Sequence, residues 1–402
     1  MTRLLLLLTA LFLAMTSTAS AQIIAPDTST ARFHLGPVLI KPVLDLSNLG
    51  VDTNVFNEPD GLAKDDVTFT LTPKADIWMK AGPVWLTGNV REDLIWYQTY
   101  SSERAANLTT GAGLIVPLNR LSFSVGTSFI NAKDRPGYEI DARVPRHEVQ
   151  VNGAVEFQAF SRTFFGAKGS RDKVNYDDTA TFLGVALAVQ LDHVTTTGTA
   201  TARYALTPLT SISIDAGVTQ DRFDLSPLRD ADSTIAGVQV SFDPSALIKG
   251  TARIGYRNFD PVVAGLPAYR GSTANVDLSY VLLGTTKFGV QVTRDVQFSY
   301  DIAQPYYLQT GVAASIAQQV YGPVDVVGGF GFYTLAYRER EGFDVQFADR
   351  TDHNRTVNGG IGYHIGPDLR LGVRIEKQWR TSEDPTREFN GLRYGLAVTY
   401  GT

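Results

Sequence analysis

Arg393-Tyr394-Gly395-Leu396-Ala397-Val398-Thr399-Tyr400 decides how this chain is read. Tyr394, Leu396, Val398 and Tyr400 fall on one parity and Arg393, Gly395, Ala397 and Thr399 on the other, which is the two-residue period of a strand with different solvents on its two faces. A polar residue, a glycine and two apolar positions near a C-terminus form the pattern of an outer-membrane assembly signal, matched here by Arg393, Gly395, Val398 and Tyr400. The commonest form ends on the aromatic residue, whereas Gly401 and Thr402 follow it here. Any half-buried strand can show such an octamer, so its meaning depends on the rest of the sequence.

At the other end, Arg3 precedes an apolar run from Leu4 to Met15 broken only by Thr9, and Ala19-Ser20-Ala21 stands before Gln22. This is the pattern of a secretory signal peptide, with cleavage expected after Ala21. The run is shorter than the roughly 18 residues of a spanning helix, and no later segment approaches that length without a charge. The sequence has no cysteine, which excludes a lipoprotein anchor, a disulfide scaffold and a thiolate metal site.

Hydrophobic residues make up 44% of the chain, yet the mean hydropathy is only −0.05. A membrane protein with that average must distribute its apolar residues in alternation, as transmembrane β-barrels do. The formal net charge of −5, and the absence of any adjacent pair of lysines or arginines, argue against nucleic acid.

From Val38 to Tyr400 one unit recurs: an alternating strand, then a connection. Val67, Phe69, Leu71, Ala75, Ile77 and Met79 oppose Thr68, Thr70, Thr72, Lys74, Asp76 and Lys80, and Leu369, Leu371, Val373 and Ile375 oppose Arg370, Arg374, Glu376 and Gln378. Short connections such as Gly82-Pro83, Thr207–Thr210 and Gly366–Asp368 alternate with longer, charged ones such as Asn54–Asp66, Lys133–Arg146, Phe223–Ser233 and Arg380–Arg387. Eight short turns and nine long loops predict an all-β, antiparallel transmembrane barrel of about 18 strands (16 or 20 on other readings), with both termini periplasmic. Residues 1–21 are then the signal peptide, 22–36 a short periplasmic segment and 37–402 the barrel. Tyr176–Leu206 is too long for one strand and has no clear turn, so Tyr176 to about Asp192 reads as a structured outer loop that folds inward on one reading. Trp78 and Trp85, and at the opposite strand ends Trp96, Tyr97, Tyr300, Tyr337 and Trp379, read as headgroup girdles. Glu92 and Arg294 carry lipid-face parity, which predicts an edge position or a local bulge at each.

The water-facing parity carries Lys74, Asp76, Arg91, Asp93, Glu156, Arg203, Asp215, Arg253, Arg257, Asp277, Arg370, Arg374, Glu376 and Arg393, the expected pore lining. A barrel of this size is too wide for side chains to fill, so the default is a water-filled passage. For any one charge the bland alternative is a cross-strand pair, for example Lys74 with Asp76 or Arg91 with Asp93. Arg370 and Arg374 are read as hydrated charges with little mutual pairing. Threonines and serines such as Thr195, Thr197, Thr199, Ser211 and Ser213 suit a hydrated neutral or weakly charged solute. Asp192-His193 and Asp352-His353 are the only suggestive acid–imidazole neighbours, but adjacent residues of an extended chain face opposite ways, and both pairs read as solvated loop residues. With no nucleophile elbow, metal-binding histidine cluster or phosphate loop, neither an enzyme nor a cofactor is expected.

Gly36-Pro37-Val38 through Asp52-Thr53-Asn54-Val55-Phe56, the Pro73 strand, Arg171–Asp178 and Arg203-Tyr204-Ala205-Leu206-Thr207-Pro208-Leu209-Thr210 resemble the outer-membrane β-barrel porin family (porin-2 type) associated with exopolysaccharide synthesis and export gene clusters. The resemblance implies outer-membrane passage of a secreted polysaccharide, polysaccharide export components as partners, and no catalytic residues. Outer-membrane lipids, lipopolysaccharide and the barrel assembly machinery are the partners that a barrel itself implies. A non-conducting barrel with a structural, adhesive or lipid-modifying role is the alternative, and an inward-folded Tyr176–Asp192 loop would favour it.

Overall fold

The computed structural model describes residues 26–244, 246–343, 347–348 and 350–401. The expected signal peptide lies outside the described residues. A short strand, β1 (Phe33–Leu35), precedes seven long ones: β2 (Val38–Asp52), β3 (Asp66–Ala81), β4 (Val84–Tyr97), β5 (Ala105–Pro117), β6 (Leu121–Asp134), β7 (Val144–Gln158) and β8 (Thr163–Tyr176). The following loop holds a miniature hairpin, β9 (Thr181–Phe182) and β10 (Val185–Ala186), and a one-turn helix, α1 (Leu187–Leu191). Long strands resume with β11 (His193–Thr207), β12 (Thr210–Phe223), β13 (Ala231–Phe242), β14 (Ile248–Pro261), β15 (Tyr269–Leu282) and β16 (Thr286–Phe298). The last five are β17 (Tyr306–Tyr321), β18 (Val324–Arg338), β19 (Thr351–Ile365), β20 (Leu369–Thr381) and β21 (Phe389–Tyr400). No helix among the described residues is long and apolar enough to cross a membrane.

Each long strand pairs antiparallel with its chain neighbours, and β21 pairs back onto β2, so eighteen strands form one closed barrel. Closure pairs the wall strands on both sides along most of their length, with an open stretch where β15 parts from β16 beyond Ala274↔Arg294. Alternation decides the faces. On β20, Leu371, Val373 and Ile375 are exposed on the outside, while Arg370 and Glu376 are buried on the inside. The closing seam is irregular: β2 shifts register against β21 between Leu46 and Leu49, and against β3 between Ser47 and Gly50, around Asn48 with φ 54°. Gly50 is required there, because a Cβ would lie 2.0 Å from the Tyr394 carbonyl oxygen. β1 pairs with Val38–Ile40 of β2, and Arg32 holds Asp368 of the β19–β20 turn at 2.6 Å.

Strand parity corrects the girdle assignment. Tyr97, Tyr300 and Tyr337 are buried inside the long-loop end of the barrel. Trp78 and Trp85 share the inward parity of Lys74 and Arg91. Trp96, stacked on Phe69 with ring centroids 5.3 Å apart, and Trp379 face outward. Both outward charges sit at irregularities. Glu92 lies opposite Pro73, where the β3–β4 ladder skips from Leu71↔Leu94 to Lys74↔Arg91. Arg294 occupies the last rung shared by β15 and β16 and donates to Thr310 at 2.7 Å. Beyond it, β16 and β17 stay paired as far as Phe298↔Tyr306 but leave β15. Val296, Tyr306 and Leu308 of that departing hairpin bury themselves against Ala231, Phe259 and Tyr269 on the inner faces of β13, β14 and β15, so the hairpin tip leans into the lumen.

Candidate functional site in the barrel lumen

The residues expected to line a pore all lie on the inward parity, but most arginines among them are held. Arg203 binds Glu156 across β8 (Nε to Oε2 2.9 Å) and stacks on Phe164. Arg253 binds Asp215 across β13 (3.0 and 2.5 Å), and Arg257 reaches Asp221 and Asp295 (3.4 and 3.1 Å). Such pairs skip a strand because side chains converge on the concave face. Arg91 pairs with Asp93 on its own strand (2.9 Å), Arg393 with Asp52 (2.9 Å), and Arg374 loosely with Glu376 (3.6 Å). Arg370 is the clear correction to the reading of hydrated, weakly paired charges. It is buried, donates two hydrogen bonds to Asp325 from Nε (2.7 Å) and Nη2, and shares that carboxylate with His364 (2.6 Å). Asp277 accepts a long bond from Gln291 (3.4 Å), and Asp76 lies in register with Lys41 rather than pairing with Lys74.

Lysines are the exception. Lys41, Lys74, Lys168, Lys249 and Lys287 all take inward parity within about eight residues of a short turn, and among the described residues the lysine salt bridges are Lys64–Glu58 and Lys173–Asp224. The short-turn half of the lumen therefore presents ammonium groups that form no salt bridge among the described residues, with Asp76 and Asp277 on the same inner face. Parity alone would have added Lys168, Lys249 and Lys287 to the predicted lining.

At the long-loop end the lumen is crossed. The segment Arg135–Arg143 leaves β6, the fifth barrel strand, and reaches β18 and β20, the fifteenth and seventeenth. Tyr138 stacks on Tyr333 of β18 with centroids 4.2 Å apart. Arg380 of β20 binds Asp141 (2.5 Å) and the Tyr138 carbonyl, and Arg387 binds Asp141 (3.0 Å) and the Glu139 carbonyl. On the near side Arg135 donates to the Val55 carbonyl (2.6 Å), and Arg143 to Tyr97 (2.7 Å) and Glu103 (3.1 Å). Glu139 accepts from Ser299 Oγ (2.6 Å) and the Tyr300 amide (3.3 Å), which joins this crossing to the leaning hairpin. Burial pushes the Glu139 carboxyl up to about 7, against the opposing pull of those hydrogen bonds and of Arg387 and Arg350. Arg229 clasps the hairpin tip through the Ser299 and Asp301 carbonyls.

The third lid is the loop singled out in the sequence. It is structured and turned inward: Ala180, Phe182, Leu187 and Leu191 form an apolar cluster with Ile140, Val144 and Tyr300. Arg387 lies over the Phe182 ring at 4.7 Å. The acid–imidazole neighbours are not solvated loop pairs. Asp192 accepts from the Tyr176 amide (2.7 Å), and Asp352 is fully buried on Arg350 (2.6 Å) and Ser382, while His353 points the other way toward Thr334. Among the described residues no group of histidines and carboxylates can hold a metal ion. Sequence reasoning missed Glu139, Asp141, Arg350 and Arg387, because loop residues have no parity to betray their direction.

The closed eighteen-strand wall thus has a polar inner face with loops folded inside it. The family described as putative beta-barrel porin 2 matches residues 30–401, nearly all of the described chain. The chain belongs to this family. A porin 2 protein is a channel of the bacterial outer membrane rather than an enzyme. No curated protein matches the chain. Among solved structures it is similar to OpdK of Pseudomonas aeruginosa (13% identity, TM-score 0.46, covering 90% of this chain and 98% of that one). It is likewise similar to OccK2 (OpdF) of Pseudomonas aeruginosa in complex with glucuronate (12%, 0.46, 90% and 97%) and to OccAB4 of Acinetobacter baumannii (11%, 0.46, 91% and 98%).

Proposed function

We propose that this porin conducts a small hydrated solute through a lumen that is wide and basic toward the periplasm and narrowed by a latch at its outer mouth. The observation that carries the reading is the Arg135–Arg143 crossing, tied at both ends of its span by arginines. A wall this wide has no structural need of such a strut, whereas a passage that must be narrowed has one. The lysines that form no salt bridge among the described residues support a preference for solutes bearing negative charge. Secreted polysaccharide is the finer reading, supported by the family resemblance alone. A polymer would thread this lumen only after the Asp141 latch released, so a small solute is the form the geometry favours. Export with cleavage after Ala21 belongs to the same proposal, as does assembly through Arg393, Gly395, Val398 and Tyr400, of which Tyr400 is exposed on the outer wall.

The inward Tyr176–Asp192 loop favours the alternative of a non-conducting barrel, and one experiment separates the two. Proteoliposomes loaded with impermeant dextran should swell in neutral and acidic monosaccharides, faster in the acidic ones. Failure to swell in any sugar, with the barrel folded, would favour the non-conducting reading.

A further inference from the structure

The outer wall over β18–β21 differs from the rest. Along β19 the outward residues Ile365, Tyr363, Ile361 and Val357 are exposed and apolar, and the next two on that face are Arg355 and His353. Along β20 the exposed Leu371, Val373 and Ile375 give way to Lys377 and Trp379. Ten residue steps separate Ile365 from Arg355; at about 3.3 Å each and a tilt of about 40° they rise about 25 Å, the height of the lipid-facing band of an outer-membrane barrel. Arg355 and Lys377 therefore stand where acyl chains end and headgroups begin, on the outer-leaflet side.

Register brings these groups together. Phe332 pairs with Arg355, Arg355 with Trp379, and Val357 with Lys377. Arg355 lies over the Phe332 ring at 5.7 Å, His353 stacks on the same ring at 5.8 Å, and Lys377 lies over Trp379 at 5.9 Å. Neither Arg355 nor Lys377 forms a salt bridge among the described residues, and the outward parity of β18–β21 carries no carboxylate. The opposite wall makes the contrast. There Lys173 is met by Asp224 (3.6 Å) and Arg222 by Asp232 (2.6 Å).

We propose that Arg355 and Lys377, framed by Phe332 and Trp379, bind a phosphate group of a phosphorylated glycolipid of the outer leaflet, lipopolysaccharide through its lipid A. Two cations fixed by aromatic rings at headgroup depth offer charge to the phosphate, and the apolar strip below them offers a bed for the acyl chains. The match of charge sign and depth commits the site to a lipid rather than to a free anion.

The test is native mass spectrometry of the full barrel in detergent, titrated with bis-phosphorylated lipid A and with the same lipid dephosphorylated. Wild type should retain the phosphorylated form, and the R355Q/K377Q variant should bind it about 30-fold more weakly. The control K173Q/R222Q, which removes the two outward cations that Asp224 and Asp232 already meet, should bind like wild type. Heat-modifiable migration reports that each variant is folded, and single R355Q and K377Q variants serve should the double variant not fold. Equal affinity of wild type and variant, equal affinity for the two lipids, or displacement by millimolar inorganic phosphate would overturn the proposal.

Discussion

The two ends of the lumen use the same charge in opposite ways. At the outer mouth, arginines are buried and spent on fixed partners: Arg380 and Arg387 on Asp141 and nearby carbonyls, Arg229 on the hairpin tip, Arg350 on Asp352. Toward the short turns, Lys74, Lys168, Lys249 and Lys287 face inward and form no salt bridge among the described residues, while Lys41 is buried in register with Asp76. The division follows side-chain chemistry. A planar guanidinium with five donors satisfies several oxygens at once and tolerates burial, whereas an ammonium on a flexible stem stays hydrated and answers to whatever passes. Arginines thus hold loops at the outer mouth and wall carboxylates such as Glu156 and Asp325 toward the short turns, and the lysines among them are left to meet solute.

The largest effect expected from breaking this contrast is in the mouth. Arg380→Gln removes the hub joining Asp141, the Tyr138 carbonyl and Asn354 and leaves Asp141 short of charge, a change that costs about 3–5 kcal/mol when the pair is buried. It should expose Arg135–Arg143 to trypsin while the barrel remains heat-modifiable. Lys287→Gln, at the other end, should change stability by less than about 0.5 kcal/mol. Equal nicking in the two variants would erase the distinction.

Next in size is a pH effect. Because burial raises the Glu139 carboxyl to about 7, the folded mouth holds that proton more tightly than the open one, whose carboxyl titrates near the ordinary 4.5. The contribution to closure is whole below pH 4.5 and is lost as pH rises through about 7. Hydrogen exchange of the Ser299–Tyr300 segment should quicken between pH 5 and 8 beyond its intrinsic rate, and Glu139→Gln should flatten that extra dependence. A flat wild-type profile would remove Glu139 from the latch.

The smallest effect is selectivity. Replacing Lys74, Lys168 and Lys287 together by glutamate should move the reversal potential in a salt gradient toward cations. Arg370→Gln should move it less, because it changes a single charge and leaves Asp325 to its other partner, His364, whereas each lysine-to-glutamate change reverses a charge. A larger shift from Arg370 than from the lysines would reverse the assignment of solute-facing charge.

Strands were legible in the sequence because a barrel wall separates lipid from water residue by residue, so Leu371 and Arg370 announce their faces by parity alone. The same parity, carried through every strand, would have turned Tyr97 and Tyr337 inward and found Lys249. The latch was not legible. Asp141 and Glu139 lie in a loop of ordinary polar composition, and their meaning comes from Arg380 and Arg387 more than two hundred residues away. That Arg370 is paired with Asp325 was equally hidden, since adjacency of β18 and β20 around β19 on a concave face has no local signature.

Single-channel recording in planar bilayers, wild type beside Asp141→Ala, tests the central claim most directly. If Arg135–Arg143 latches a conducting lumen, wild type conducts in small steps and the variant in distinctly larger ones at the same salt. Identical steps, or silence from both folded proteins, would contradict the account.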